Sequence, residues 1–219
     1  MKTVKDYYRH RFSAEERKRK NKIWHSLCRY AFQKHVSYSD TVMDLGAGYC
    51  EFINNIKCKR KIAVDINPET KKFAKRGVEV FNKSPLTLGK TFREEIDIVF
   101  ISNFFEHLNS KEEIINIMEV VNSILKPGGK IIVMQPNISL AGEKYWDFID
   151  HKLPLTVPSL VEALGITNFA LAETVEKFLP FTTKNSYPVY PWMIYLYLKL
   201  PDFLRIGAGQ SLIVAKKRA

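Results

Sequence analysis

An α/β fold built on a doubly wound parallel sheet is predicted by three features of this 219-residue chain. Strand-like and helix-like segments alternate through residues 41–135, the rhythm of repeated strand–helix–strand units. Two of the strand-like segments, 96–102 (IDIVFIS) and 130–135 (KIIVMQ), are almost continuously apolar, as expected of strands covered on both faces. The first strand-like segment ends in Asp44-Leu-Gly-Ala-Gly48. Two glycines between a strand and a helix let backbone N–H groups approach a nucleotide-like ligand without side chains in the way.

The elements follow in order. Ser13-Ala-Glu-Glu16 has capping-box spacing, and Ile23, Trp24, Leu27, Tyr30 and Ala31 give the segment to about Gln33 one apolar helical face. Tyr7-Tyr-Arg-His-Arg-Phe12 before it is an aromatic, basic arm, either a solvated terminus or a flap over the ligand. After the first strand and its turn, residues 52–56 read as a short helix and 61–65 as a second strand, closed by the turn signal Asn67-Pro68. Residues 69–76 read as a helix, 78–81 as a third strand and 82–85 as a loop. Residues 111–125 have helical periodicity, stopped by Pro127-Gly128-Gly129. Beyond 137 the rhythm changes: 157–164 read as a helix, and 169–179 and 210–216 as a hairpin-like strand pair. The insertion between those strands, residues 180–209, holds an apolar stretch bounded by Pro191 and Pro201. That stretch is too short to cross a bilayer. Burial on the domain or in a homodimer is expected for it, with interfacial membrane contact as the other reading. A single domain is expected over 1–219: an N-terminal arm and helix (1–39), a ligand-binding core (40–137) and an acceptor-side region (138–219).

Composition narrows the setting. The first 22 residues are too charged for a signal peptide, and no apolar run reaches the roughly 18–20 residues of a membrane span. Cys28, Cys50 and Cys58 form no C-x-x-C pair and read as thiols of a cytoplasmic protein. The net charge of +11 suits an anionic substrate or an acidic surface, without choosing between nucleic acid, membrane and phosphorylated sugar.

Two acids refine the ligand. Asp44, at the mouth of the turn, suits a ligand with a positive group better than a pyrophosphate. Asp65 ends the second strand about 20 residues later, where an acid commonly accepts hydrogen bonds from two ribose hydroxyls. A dinucleotide dehydrogenase would want G-x-G-x-x-G, but Glu51 stands at the third position.

Together these residues resemble the class I S-adenosylmethionine-dependent methyltransferases. Asp44-Leu-Gly-Ala-Gly48 is similar to that family's first motif, Asp65 to its ribose acid, Asp97 to the acid of its fourth strand and Leu125-Lys-Pro-Gly-Gly129 to its turn after the helix. Cys50 departs from the pattern where a third glycine is common. YYRHRFS, GAGYCEFIN, SNFFEHL and YWDFIDHKLPLT resemble a bacterial subgroup associated with polysaccharide or glycolipid biosynthesis. The resemblance implies a Rossmann-like seven-stranded sheet with its last strand antiparallel, and S-adenosyl-L-methionine as cofactor. Asp44, Gly46, Ala47 and Gly48 would hold the methionyl part and Asp65 the ribose. Ile66 would line the adenine, Asn82 and Ser84 would approach its edge, and Ser102 and Asn103 would sit beside the methyl group. Asp97 precedes the strand interior and reads as structural.

Methyl transfer from a sulfonium needs an aligned nucleophile, and a hydroxyl acceptor also benefits from a base. His107, just after the fourth strand, is the first candidate base, against a helix-start histidine bonded to backbone; His151 is the second, with Asp150 or Asp147 to orient it. The same residues allow a metal reading. Some RNA-end methyltransferases hold a divalent ion with E-x-x-E-H and a distant histidine, and here the pattern is Asn103-x-x-Glu106-His107 with His151. Asn in place of the first Glu removes a charge that a hard cation would want, so no metal is expected. Base methylation of nucleic acid would want Pro-Pro-aromatic after the fourth strand, where Ser102-Asn-Phe-Phe105 has no proline. A small-molecule, sugar or glycolipid acceptor methylated on oxygen is therefore expected, ahead of nucleic acid and of a non-catalytic cofactor-binding scaffold.

Overall fold

The computed structural model describes residues 14–181 and 189–218. Seven strands form one sheet: β1 Thr41–Leu45, β2 Arg60–Val64, β3 Val78–Phe81, β4 Ile96–Ser102, β5 Leu125–Pro136, β6 Phe169–Pro180 and β7 Ala208–Lys217. Their order is β3-β2-β1-β4-β5-β7-β6. β1 to β5 pair in parallel, and β7 runs antiparallel between β5 and β6. The predicted sheet with a reversed last strand is thus the observed one. The chain steps outward from β1 to β3 and then returns to place β4 beside β1. That reversal opens a crevice at the C-terminal ends of β1 and β4, where open α/β sheets bind ligands.

Both faces of the sheet are covered. On one, Met43, Leu45, Val99, Ile101, Ile131 and Val133 pack against helices α2 (Lys111–Ile124) and α3 (Val157–Ile166). On the other, Val42, Ile98, Phe100 and Ile132 meet helix α1 (Ala14–Leu27) and the segment after it. Aromatic rings lock α1 in place: Phe52 stacks on Phe100 at 3.7 Å, and Trp24 meets Phe100 edge-on at 6.0 Å. Alternation of inward side chains on covered strands produces these two clusters from runs that read as uniformly apolar in sequence.

Several segments differ from expectation. Residues 52–56 form turns with two helical bonds, Asn54 N–H to Cys50 O and Ile56 N–H to Phe52 O, and not a regular helix. Asn54 explains the stop, since its side chain donates to Phe73 O at 2.9 Å and accepts from Lys75 N–H at 2.9 Å. The helix expected over 69–76 is a 3-10 turn, Pro68–Lys72, capped by the Asn67 side chain. α2 stops at Ile124, but Pro127-Gly128-Gly129 lies within β5 and produces an irregular register against β4. α1 runs into π and 3-10 turns that end at His35. The Ser13 cap and the arm at 7–12 lie outside the described residues.

The apolar stretch of the insertion forms helix α4, Pro191–Lys199. The expected burial on the domain holds for Ile194, whereas Trp192 is 61% exposed and Leu196 52% exposed. α4 leans on α1 and the π turn after it, where Tyr195 meets Tyr30 edge-on at 5.2 Å. Ten residues of near-uniform apolarity carry no moment to say which side faces inward, and here one side faces solvent. Among the described residues no helix is long and apolar enough to cross a membrane. Asp97 sits at the start of β4, away from the crevice: its carboxylate accepts Thr41 N–H at 2.8 Å and Lys126 Nζ at 2.8 and 2.9 Å. Its role is to tie β1 and β5 to β4, as its position in the sequence suggested.

Candidate active site

The crevice is built from the turn after β1. Gly46 has φ 75°, and a Cβ there would lie 2.7 Å from the Phe104 ring, so only glycine fits. Gly46 and Ala47 both donate their N–H to Val64 O, at 2.9 and 3.1 Å, and Gly48 N–H donates to Asp65 Oδ2 at 2.7 Å. The other Asp65 oxygen accepts Asn67 N–H at 2.8 Å. Each carboxylate oxygen has a second acceptor position, so Asp65 retains capacity for two hydroxyl donors. Cys50 also has positive φ, 60°, which accounts for the frequency of glycine at that position in the motif. Its thiol is buried against Thr70 O at 3.7 Å, and burial raises its pKa above the usual thiol value.

Asp44 is buried at the base of the turn, accepting Ile53 N–H at 3.3 Å. Burial raises its pKa well above the usual carboxylate range, against that one hydrogen bond, and the nearby Glu51 and Asp65 add to the rise. A cationic ligand group against Asp44 would offset the cost of holding a charge there.

A cavity of about 430 Å³ opens over this turn. Asp44, Gly46, Ala47, Gly48, Ser102, Asn103, His107 and His151 all line it. The other predicted residues gather outside that lining, around the end of β2. There Asn82 Nδ2 donates to Asp65 O at 2.8 Å, Ile66 is 57% exposed, and Ser84 leads into the turn Pro85–Lys90.

Opposite the glycine turn lies a polar cluster. Asn103 takes a left-handed φ of 48° at the end of β4, its N–H bonded to Met134 O and its side-chain oxygen buried without a partner. Glu106, 1% exposed, accepts Gln135 Nε2–H at 2.8 Å. Its backbone carbonyl accepts the N–H of Lys152 at 2.7 Å and of Leu153 at 3.2 Å, which draws the loop carrying His151 against it. The His107 and His151 rings are 5.3 Å apart. His107 Nδ1 lies 3.0 Å from Asp150 O and 3.4 Å from its carboxylate, while Nε2 lies 3.8 Å from Glu106 Oε1. Asp150, expected to orient His151, therefore contacts His107. Burial pushes the His151 pKa below its usual value, so that ring stays neutral near pH 7, with Phe148 stacked on it at 5.0 Å.

Other walls of the cavity were not foreseen. Lys20 and Trp24 of α1 line it, Lys20 paired with Glu51 at 2.9 Å and 5.9 Å from the Tyr49 ring centre. Met193, Ile194 and Tyr197 of α4 supply an apolar wall. Helical periodicity marked α1 as a packing face but could not say that one end of that face roofs a cavity. Gln135 carried a signal in hindsight: a polar residue ending an otherwise apolar buried strand needs a partner, here Glu106.

Comparisons with known proteins agree with this architecture. Residues 43–133 match the family described as a methyltransferase domain. A SAM-dependent methyltransferase from Archaeoglobus fulgidus superposes with TM-score 0.65 at 23% identity, over 96% of this chain and 97% of that one. Another, from Thermotoga maritima, gives TM-score 0.67 at 16% identity, over 97% and 98%. A Haloferax volcanii methyltransferase, solved in complex with the Trm112 methyltransferase activator, gives TM-score 0.67 at 17% identity, over 97% and 96%. Among curated proteins no relative matches the chain. At these identities the structural likeness shows the shared fold, and the domain match spans the motifs from β1 to β5. Residues 43–133 are thus similar to a methyltransferase domain, on a fold shared with S-adenosylmethionine-dependent methyltransferases.

Proposed function

We propose that this enzyme transfers the methyl group of S-adenosylmethionine to a hydroxyl oxygen of a sugar or glycolipid acceptor. The observation that supports this most is the shared cavity: the glycine turn of the donor side and the Glu106–His107–His151 cluster face one space, with an apolar wall from α4. In this reading Asp44 takes the ammonium of the methionyl part, and the backbone of the Gly46–Gly48 turn, anchored to the end of β2, lies against the rest of it. Asp65 accepts the ribose hydroxyls, Ile66 covers the adenine, and Asn82 and Ser84 lie at its edge. Ser102 and Asn103 flank the methyl group. The S–CH₃ bond breaks as the O–CH₃ bond forms, leaving S-adenosylhomocysteine. The hydroxyl proton passes to His107 as base, with His151 beside it.

α4 extends this reading to the acceptor's origin. Its inner residues line the cavity, while Trp192 and Leu196, with Phe203, Leu204 and Ile206 just beyond, are exposed. An apolar face on a chain of net charge +11 suits an anionic membrane surface. The acceptor then comes from the cytoplasmic leaflet and reaches the cluster along α4, as the sequence stretches that resemble a polysaccharide or glycolipid subgroup would imply.

Four measurements test these roles. Asp44 has a raised folded-state pKa, so its contribution to stability is full at acid pH and is lost as pH rises through that value. Asp44→Asn should therefore raise the Tm of ligand-free protein at pH 7–8, with the gain shrinking toward low pH. Calorimetry on the same variant should show cofactor affinity reduced roughly 10–100-fold; unchanged affinity would remove Asp44 from the ammonium site. His107→Ala should lower turnover by about 10²–10⁴-fold while cofactor affinity stays near wild type, and full activity would remove His107 from the chemistry. Flotation with vesicles of anionic phospholipid should recover the wild-type protein but not Trp192→Asp/Phe203→Asp. Recovery of both, or loss of a dimer in place of lipid binding in the variant, would reassign the apolar face.

A further inference from the structure

The acceptor-side cluster has an unresolved pairing. His107 Nδ1 lies 3.0 Å from the carbonyl oxygen of Asp150. A carbonyl only accepts, so Nδ1 carries the proton, and in the neutral ring the Nε2 lone pair is exposed. That lone pair points toward Glu106 Oε1 at 3.8 Å. Glu106 is buried, and its Oε2 is held by Gln135 Nε2–H. The Glu106 carboxylate and His107 Nε2 therefore place two ligand atoms side by side at the cavity. His151 Nδ1 is buried without a hydrogen-bond partner. Ligand atoms of Glu106, His107 and His151 all lie within 4.8 Å of one another.

We propose that Glu106, His107 and His151 bind one divalent transition-metal ion of the Zn²⁺ class. Two imidazoles and one carboxylate suit such borderline ions, whereas Mg²⁺ and Ca²⁺ want oxygen throughout. Bonds of about 2.1 Å to one ion require the three atoms to draw together slightly. The supporting contacts are already of the kind that orient metal ligands: a backbone carbonyl on the far nitrogen of His107 and an amide on the far oxygen of Glu106. Three protein ligands leave open positions toward the cavity. Resting on the acceptor-side reading above, such a position would take the acceptor oxygen and lower its pKa, its proton passing to water at the cavity mouth. Asn103 in place of a fourth acidic ligand then keeps the site less negative, as a borderline ion tolerates and a hard ion does not.

The test is a Co²⁺ titration of the full chain, stripped with EDTA and dialysed, followed by visible absorption and reversed by Zn²⁺. One equivalent should bind to wild type, at least tenfold more tightly than to Glu106→Gln or His151→Ala. His25→Ala, which removes an exposed histidine on α1, should bind as wild type does. Cofactor affinity in each variant serves as the check on folding. Co²⁺ binding that is weak, or equal in wild type, E106Q and H151A, would overturn the proposal. Loss of transfer in His107→Ala without site-specific Co²⁺ binding would retire the metal and keep the acceptor-side reading. Site-specific binding with transfer untouched by His107→Ala would keep the metal and retire that reading.

Discussion

Three N–H groups in a row, from Gly46, Ala47 and Gly48, are anchored to the end of β2, and the rest of the site depends on that anchorage. The first two hold Val64 O, and the third holds Asp65. This constraint bends the chain sharply at the end of β1, brings Gly46 against Phe104 and leaves Asp44 buried beneath the bend. It also fixes Asp65 with both oxygens partly used and both partly free. The turn's geometry therefore comes from the backbone, with the two carboxylates beside it placed by the sheet.

The acceptor side is organised by a different residue. Glu106 acts twice, through its backbone carbonyl, which pulls in the 152–153 strand of loop, and through its buried carboxylate. Removing the loop contact would free His151; removing the carboxylate would leave Gln135 and His107 facing an apolar gap. A buried charge is expensive unless it is paired.

The sheet and its donor end were legible in the sequence because they depend on local signals. Buried runs mark β4 and β5, two glycines mark the turn, and an acid at the end of the second strand marks where the turn is anchored. Short helices were less legible. Asn54 and Asn67 redirect the backbone through side-chain bonds, so residues 52–56 and 69–76 settle into turns where periodicity suggested helix. The acceptor side was legible only as a pair of candidate histidines. Their approach depends on contacts between residues more than 40 apart, such as Lys152 N–H to Glu106 O, which no local pattern encodes. The orientation of α4 was hidden for the opposite reason: a segment apolar on every side specifies burial without specifying against what.

Donor and acceptor chemistry meeting in one cavity, beside an apolar wall open to a membrane surface, is the central claim. Transfer of a labelled methyl group from S-adenosylmethionine tests it most directly, with lipid-extractable, RNA and soluble small-molecule fractions compared side by side. Label in the lipid-extractable fraction, dependent on His107, is the predicted result. Label confined to RNA, or none in any fraction from protein that binds the cofactor, would contradict it.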